Sequence, residues 1–144
     1  MTYALDTNIL SFLLQRDKNQ DVARRFSEEI TERGNYYVIP PLSYNESFWF
    51  LLRKGATAQI RMFNDLRDGS CASLDISEAE VVKAAEIRAY LEERGTPIGE
   101  DGNGDADIFI AAHCIVHGYT LVTDNVNDFG KIDDLKFVNW KVRN

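Results

Sequence analysis

The chain has 144 residues, of which 44% are hydrophobic and 27% are charged, and this predicts one soluble globular domain spanning residues 1–144. No apolar run is long enough to cross a bilayer, and Asp6 interrupts the first apolar stretch, so we expect neither a membrane span nor a signal peptide. The net charge of −7 argues against nucleic-acid binding through overall charge alone, but it does not exclude a nuclease with an acidic metal site.

The first half of the chain predicts two strands and four helices. A short apolar stretch begins at Tyr3, and Thr7 or Asn8 can cap the helix that follows it. Pro40-Pro41 ends the second strand. The predicted strands cover residues 3–6 and 36–39, and the predicted helices cover about 9–14, 20–32, 43–54 and 57–66.

The second half continues this alternation. Ser77 and Glu80 have the spacing of a capping box at the start of a helix, and the glycine-rich residues 95–104 predict a loop. Strands are predicted over 73–76, 119–123 and 136–140, and helices over about 77–94 and 106–117. Strands that alternate with helices predict an α/β fold, in which a central parallel β-sheet is flanked by α-helices.

Four acidic residues follow or begin these buried elements. Asp6 and Asp124 come at the carboxyl ends of predicted strands, where the working sites of parallel sheets lie. Glu46 lies within a predicted helix, and Asp107 begins another. Gathered carboxylates repel one another unless protons or cations neutralise them, and Mg²⁺ prefers oxygen ligands. We therefore expect Asp6, Glu46, Asp107 and Asp124 to form a catalytic metal site that hydrolyses a phosphodiester.

Four motifs together resemble a known family. They are Asp6-Thr7-Asn8, Glu46 after Pro41-Leu42-Ser43, Asp107 before Ile108-Phe109-Ile110-Ala111-Ala112, and Leu121-Val122-Thr123-Asp124-Asn125 leading to Asp128-Phe129. Their order resembles that of the PIN domain, and of VapC-type toxins in particular. The resemblance implies a single PIN-like α/β domain with a Mg²⁺- or Mn²⁺-dependent endoribonuclease activity on RNA. It also implies a cytoplasmic homodimer that is silenced by a cognate antitoxin.

The resemblance leaves the fourth acid open. In many members the last acid stands two residues after the threonine, where this chain has Asn125. We expect Asp124 to take its place, with Asp128 as a further candidate and Asn125 as a residue that holds a metal-bound water or substrate. Asp105 offers a second acid beside Asp107, although alignment to the Ile-Ala-Ala element favours Asp107.

Two other functions stay open. One is a PIN-fold module that binds RNA or protein without cleaving, and the other is a metal-dependent phosphatase, which would need an acid where the chain has Asn8. Phosphate contacts for a nuclease would come from basic residues of the first half of the chain. These are Arg16, Lys18, Arg24, Arg25, Arg53, Lys54, Arg61 and Arg67.

Two pairs of residues have the side chains of metal ligands. Cys71 and Cys114 are isolated, which predicts reduced, half-buried thiols rather than a disulfide or a zinc site. His113 and His117 stand four residues apart on a predicted helix, but no glutamate follows the first of them as in a zinc protease. We therefore expect the two histidines to lie on an exposed helix face.

Overall fold

The structure, a computed structural model, describes residues 1–99 and 104–143. Its centre is a sheet of four parallel strands in the order β2-β1-β3-β4. The strands are β1 (Thr2–Leu5), β2 (Tyr36–Val38), β3 (Thr120–Val122) and β4 (Phe137–Val138). The chain runs outward from β1 to β2 and then returns to the other side of β1, so a crevice opens beyond the carboxyl ends of β1 and β3.

Helices connect the strands and cover both faces of the sheet. They are α1 (Thr7–Leu13), α2 (Gln20–Phe26), α3 (Pro41–Lys54), α4 (Thr57–Gly69), α5 (Glu78–Arg94), α6 (Asp105–His117) and α7 (Val126–Phe129). A short 3₁₀ turn at Arg16–Lys18 precedes α2, and a π-helical turn at Ser27–Glu32 continues it. Gly55 and Gly118 end α3 and α6 in the left-handed conformation, which other residues adopt at a cost.

Two apolar cores lie on opposite faces of the sheet because successive side chains of a strand point to opposite sides. Ala4 and Leu121 face the core beneath α5 and α6. Tyr3, Leu5 and Val122 face the core beneath α1, α2, α3 and α4. The predicted fold class, an α/β fold with a parallel sheet between helices, is confirmed.

Some predicted elements differ from the structure. The strand over 73–76 is wrong, because the Ser73 hydroxyl donates to Asp75 (2.9 Å) within an irregular segment and Ile76 is exposed. Such local side-chain bonds compete with strand pairing. The last strand is limited to Phe137–Val138, and the predicted loop over 95–104 lies partly outside the described residues.

The cysteine and histidine predictions also need correction. Cys71 is exposed and Cys114 is fully buried, so neither thiol is half-buried, although both are free. His113 is buried between α5 and α6, where it contacts Glu80, and only His117 is exposed as predicted. Among residues 1–99 and 104–143, no helix is both long and apolar enough to cross a membrane.

Candidate active site

The register of β1 and β3 brings two polar side chains together. Leu5 pairs with Val122, so the residues that follow them, Asp6 and Thr123, are neighbours at the carboxyl end of the sheet. The Asp6 backbone N–H donates to the Val122 carbonyl (3.0 Å), and the Thr123 hydroxyl donates to Asp6 Oδ2 (2.7 Å). Because Thr123 is fully buried, this hydrogen bond fixes the Asp6 carboxylate relative to both strands.

Asp6 is also the N-cap of α1. Its Oδ1 accepts from the Thr7 backbone N–H (2.8 Å), and its Oδ2 accepts from Asn8 Nδ2 (3.1 Å). Asn8 in turn accepts from the Asp124 backbone N–H (3.1 Å), so one side chain connects α1 to the segment after β3. Asp6 is only 3% exposed, yet its carboxylate lines a cleft, and it therefore combines a structural cap with a position in the candidate site.

Two further acids reach this cleft from separate helices. Glu46 lies on α3, and its Oε1 accepts from the Thr7 hydroxyl (3.0 Å), which holds it next to Asp6. Asp107 lies in the first turn of α6, where the helix dipole favours a negative charge. The cleft has a volume of about 360 Å³ and is lined by Asp6, Thr7, Asn8, Ser11, Leu14, Gln15, Glu46, Ser47, Phe50, Leu51, Lys54, Gln59, Asp107 and Asn125.

The gathered acids change one another's protonation. Burial raises the pKa of Asp107 to about 7, with a further contribution from nearby carboxylates. Those carboxylates belong to Asp6, Glu46 and Asp128. Burial also raises the pKa of Asp6, and Glu46 adds to this, although hydrogen bonds from Thr123 and Thr7 oppose it. Oxygen donors that retain protons when no cation is present are a suitable ligand set for a hard divalent cation.

Three other predicted residues have different surroundings. Asp124 accepts hydrogen bonds from Asn139 (3.0 Å) and Arg143 (3.1 Å) and is not among the described residues that line the cleft. The hydrogen bond from Arg143 lowers the pKa of Asp124. Asp105 is exposed and forms an ion pair with Arg88 (3.0 Å). The structure thus brings Asp6, Glu46 and Asp107 together but directs Asp124 towards the C-terminal segment.

Asp128 differs from Asp124 in its relation to the acidic group. Its negative charge contributes to the raised pKa of Asp107. Although burial opposes it, hydrogen bonds from the Gly99 N–H (3.1 Å) and from Asn125 (3.3 Å) lower the pKa of Asp128 and keep it ionised. Asn125 itself lines the cleft.

Part of the cleft was not predicted from sequence. Phe50 lines it together with Glu46 and Lys54, and the three residues are spaced four apart on α3. Lys54 was predicted as one of the basic residues that contact phosphate, but Phe50 was not. Residues at this spacing share one face of a helix, so the position of Glu46 was the signal that could have found Phe50. No role was predicted for Thr123. Its hydrogen bond to Asp6 depends on the register between β1 and β3, which the sequence does not encode locally.

Comparison with known families decides the classification. The family model described as PIN domain matches residues 3–135. The chain belongs to the PIN domain family. Within it, the chain is 26% identical over 140 residues to Ribonuclease VapC2 of Rickettsia felis, covering 97% of this chain and 98% of that protein. This PIN domain chain therefore has a curated ribonuclease relative over nearly its whole length.

Solved PIN domain structures agree with the fold. VapBC-1 from nontypeable Haemophilus influenzae gives a TM-score of 0.73 at 28% identity and covers 97% of this chain and 98% of its own. VapBC2 from Rickettsia felis, solved bound to a DNA fragment from its promoter, gives a TM-score of 0.79 at 24% identity. The match covers 98% of this chain and 100% of that one. The predicted resemblance to VapC-type ribonucleases is confirmed, and the names of the curated relatives, ribonuclease and endonuclease, agree with the predicted nuclease class.

The raised pKa of Asp107 predicts how the metal-free protein responds to pH. The pKa of Asp107 in the folded protein, about 7, exceeds its ordinary value of 3.8, so the folded state binds more protons between these two pH values. The free energy of unfolding of the metal-free protein should therefore fall as pH rises from 5 to 8 in EDTA. Asp107→Asn removes the buried charge and should flatten this fall, raising the melting temperature at pH 8 by about 2–4 °C. Thermal unfolding followed by circular dichroism measures it.

Asp105→Asn is the matched control for this measurement. It makes the same substitution two residues away on α6, but Asp105 is exposed and lies against Arg88 rather than in the cleft. It should keep the wild-type pH dependence. An equally steep fall of the melting temperature in Asp107→Asn would contradict the assignment of the proton to Asp107.

Proposed function

We propose that this protein is a metal-dependent endoribonuclease and the toxin of a toxin–antitoxin pair, with Asp6, Glu46 and Asp107 as the residues that hold Mg²⁺ or Mn²⁺. The observation that carries the proposal is the convergence of three carboxylates, from β1, α3 and α6, on one cleft. The raised pKa of Asp107 supports it, because a cation would replace the proton that this carboxylate otherwise retains.

When bound, the cation supplies charge neutralisation at the phosphodiester and lowers the pKa of a water that attacks phosphorus. The protein's own part is to hold the ligands in position before substrate arrives. Thr123 and Asn8 orient Asp6, and Thr7 orients Glu46, so neither carboxylate needs to reorganise. Such preorganisation is a large part of electrostatic catalysis.

For the fourth acid we favour Asp128 over the predicted Asp124. Asp124 is paired with the charge of Arg143 and accepts a hydrogen bond from Asn139, and this leaves its carboxylate little capacity for a cation. Asp128 is ionised and close enough to raise the pKa of Asp107. Asn125 donates to Asp128 (3.3 Å) and lines the cleft, so it is placed between this acid and the substrate space.

The α3 side of the cleft has the side chains of a single-stranded RNA site. Phe50 is 42% exposed, and Lys54 Nζ lies 4.8 Å from its ring centroid. Arg53 stacks on the neighbouring Trp49 at 4.7 Å. Exposed aromatic rings on which bases stack, beside cations that contact phosphates, are typical of such sites. This local group offsets the net charge of −7 where substrate enters.

An antitoxin partner belongs to the same proposal. The solved VapBC structures that this chain resembles are complexes of a toxin with its antitoxin, and one of them is 28% identical to this chain over nearly the whole length of both. A homodimer and a cytoplasmic location, where RNA and antitoxin would be met, stay predictions from the family resemblance. Exposed Trp49 and Leu52 on α3 are apolar side chains that a protein partner could cover.

Cleavage of RNA tests the proposal directly. The purified protein should cut structured or unstructured RNA with Mg²⁺ or Mn²⁺ and should stop in EDTA. Asp107→Asn should lower the cleavage rate by about 100-fold or more, since removing one preorganised charge from a transition state acts on this scale. Gel analysis of end-labelled RNA measures the rate, and 5′-phosphate and 3′-hydroxyl ends are the expected products.

Asp105→Asn again serves as the matched control and should cleave at the wild-type rate. Cleavage that persists in EDTA, or is equal in Asp107→Asn, would contradict a metal site at Asp107. RNA binding without any cleavage would instead favour the non-catalytic PIN-fold module.

Lys54 should contribute one phosphate contact. In an Asp107→Asn background, which prevents cleavage, Lys54→Ala should weaken RNA binding and reduce the slope of log affinity against log salt by about 0.7. Adding Arg53→Ala should reduce the slope further. Fluorescence anisotropy over a salt series measures both quantities.

Lys136→Ala is the matched control for charge. Lys136 is exposed next to Met1 and Thr120, at the opposite end of the strands from the cleft. If Lys136→Ala lowers the salt slope and Lys54→Ala does not, the RNA path does not cross α3.

A further inference from the structure

A second group of metal-binding side chains lies between α5 and α6. Glu80 comes from the first turn of α5, and His113 and His117 stand one turn apart on α6. One ligand atom from each of the three lies within 4.8 Å of the other two. Glu80 and His113 are buried, whereas the His117 side chain is 37% exposed, so the group opens to solvent on one side.

This group is separate from the acidic cleft. His113 and His117 follow Asp107 on the same helix by six and ten residues, which at 1.5 Å per residue is about 9 and 15 Å along the axis. None of the three side chains lines the cleft among the described residues. A metal bound here would not be the metal of the proposed nuclease site.

The contacts within this group hold the Glu80 carboxylate in place but leave one nitrogen of His113 without a hydrogen-bond partner among the described residues. Glu80 Oε2 accepts from the Ser77 backbone N–H (2.9 Å), from the Ser77 hydroxyl (2.7 Å) and, at 3.3 Å, from His117 Nε2. Its Oε1 contacts His113 Nδ1. His113 Nε2, however, is buried and has no hydrogen-bond partner in residues 1–99 and 104–143. Most buried polar side-chain atoms have a hydrogen-bond partner, so this nitrogen is an unused position at which an ion can bind.

The donor types identify the ion. Two imidazoles and one carboxylate are a known set of three protein ligands for Zn²⁺, and in such sites water occupies the fourth coordination position. Mg²⁺ and Ca²⁺ prefer oxygen ligands throughout and are not matched by this set. The capping-box hydrogen bonds from Ser77 hold Glu80 in the way that outer-shell groups orient the ligands of known sites.

We propose that Glu80, His113 and His117 form a zinc site that joins α5 to α6. Its ligands come from the two helices that cover one face of the sheet, so zinc would stabilise their packing. The site would act on helix packing and not on chemistry at the acidic cleft, because the exposed ligand, His117, lies at the far end of α6 from Asp107.

Thermal unfolding with Zn²⁺ tests this site, provided other zinc ligands are removed. The background is Cys71→Ser with Asp107→Asn, since Cys71 is an exposed thiol and Asp107 belongs to the acidic cleft. In this background, Zn²⁺ at about 100 times its Kd should raise the melting temperature by several degrees, whereas Mg²⁺ should not. Calorimetric titration should give one zinc per chain.

His117→Gln distinguishes a metal ligand from a hydrogen-bond partner. Glutamine keeps an N–H donor for Glu80 but removes the imidazole, and the position is exposed enough to accept it. This variant should keep the metal-free melting temperature, and a loss of zinc affinity of at least about tenfold should reduce the zinc-induced rise in melting temperature to about half or less of the rise in the background. The absence of any zinc response in the background, or an equal response in His117→Gln, would overturn the proposal and leave a hydrogen-bond network alone.

Discussion

The hydrogen bond from Thr123 to Asp6 is the interaction on which the candidate active site depends. It joins the ends of two neighbouring parallel strands, and it holds a carboxylate that is only 3% exposed. Thr7 and Asn8 also donate to the Asp6 carboxylate. Thr7 connects it to Glu46, and Asn8 connects it to the segment after β3. A parallel sheet with its switch between β1 and β3 therefore both creates the crevice and orients the Asp6 carboxylate in it.

This arrangement brings like charges together, and the chain offsets them in different ways. Asp124 is paired with Arg143, and Asp128 receives hydrogen bonds from Gly99 and Asn125. Asp107 has no such compensation among the contacts of the described residues, and its pKa rises to about 7. The cleft is thus stable without a cation only at the cost of retaining a proton, and this links the metal chemistry proposed for the site to the stability of the fold.

Much of the fold, and the meeting of three of the four predicted acids in one cleft, could be predicted from sequence, because short apolar stretches, caps and glycine stops are local signals. Asp124 shows the limit. Its position after β3 is encoded locally, but its pairing with Arg143 depends on a contact 19 residues further along the chain. His113 shows the same limit. Its spacing on a helix does not reveal that Glu80, 33 residues earlier, packs against the same face of α6. The segment over 73–76 has strand-like residues but no neighbouring strand to pair with.

The most direct test of the account is the number of protons released when Mn²⁺ binds. Calorimetry at pH 7 in two buffers of different ionisation enthalpy measures it, with Cys71→Ser and His117→Gln present to restrict binding to the acidic cleft. With a pKa of about 7 for Asp107, close to half a proton per chain should be released on binding at pH 7 and almost none at pH 9. Asp107→Asn should bind Mn²⁺ more weakly and release no proton. Binding without proton release at pH 7, or with equal release from Asp107→Asn, would contradict the claim that these gathered carboxylates form the metal site.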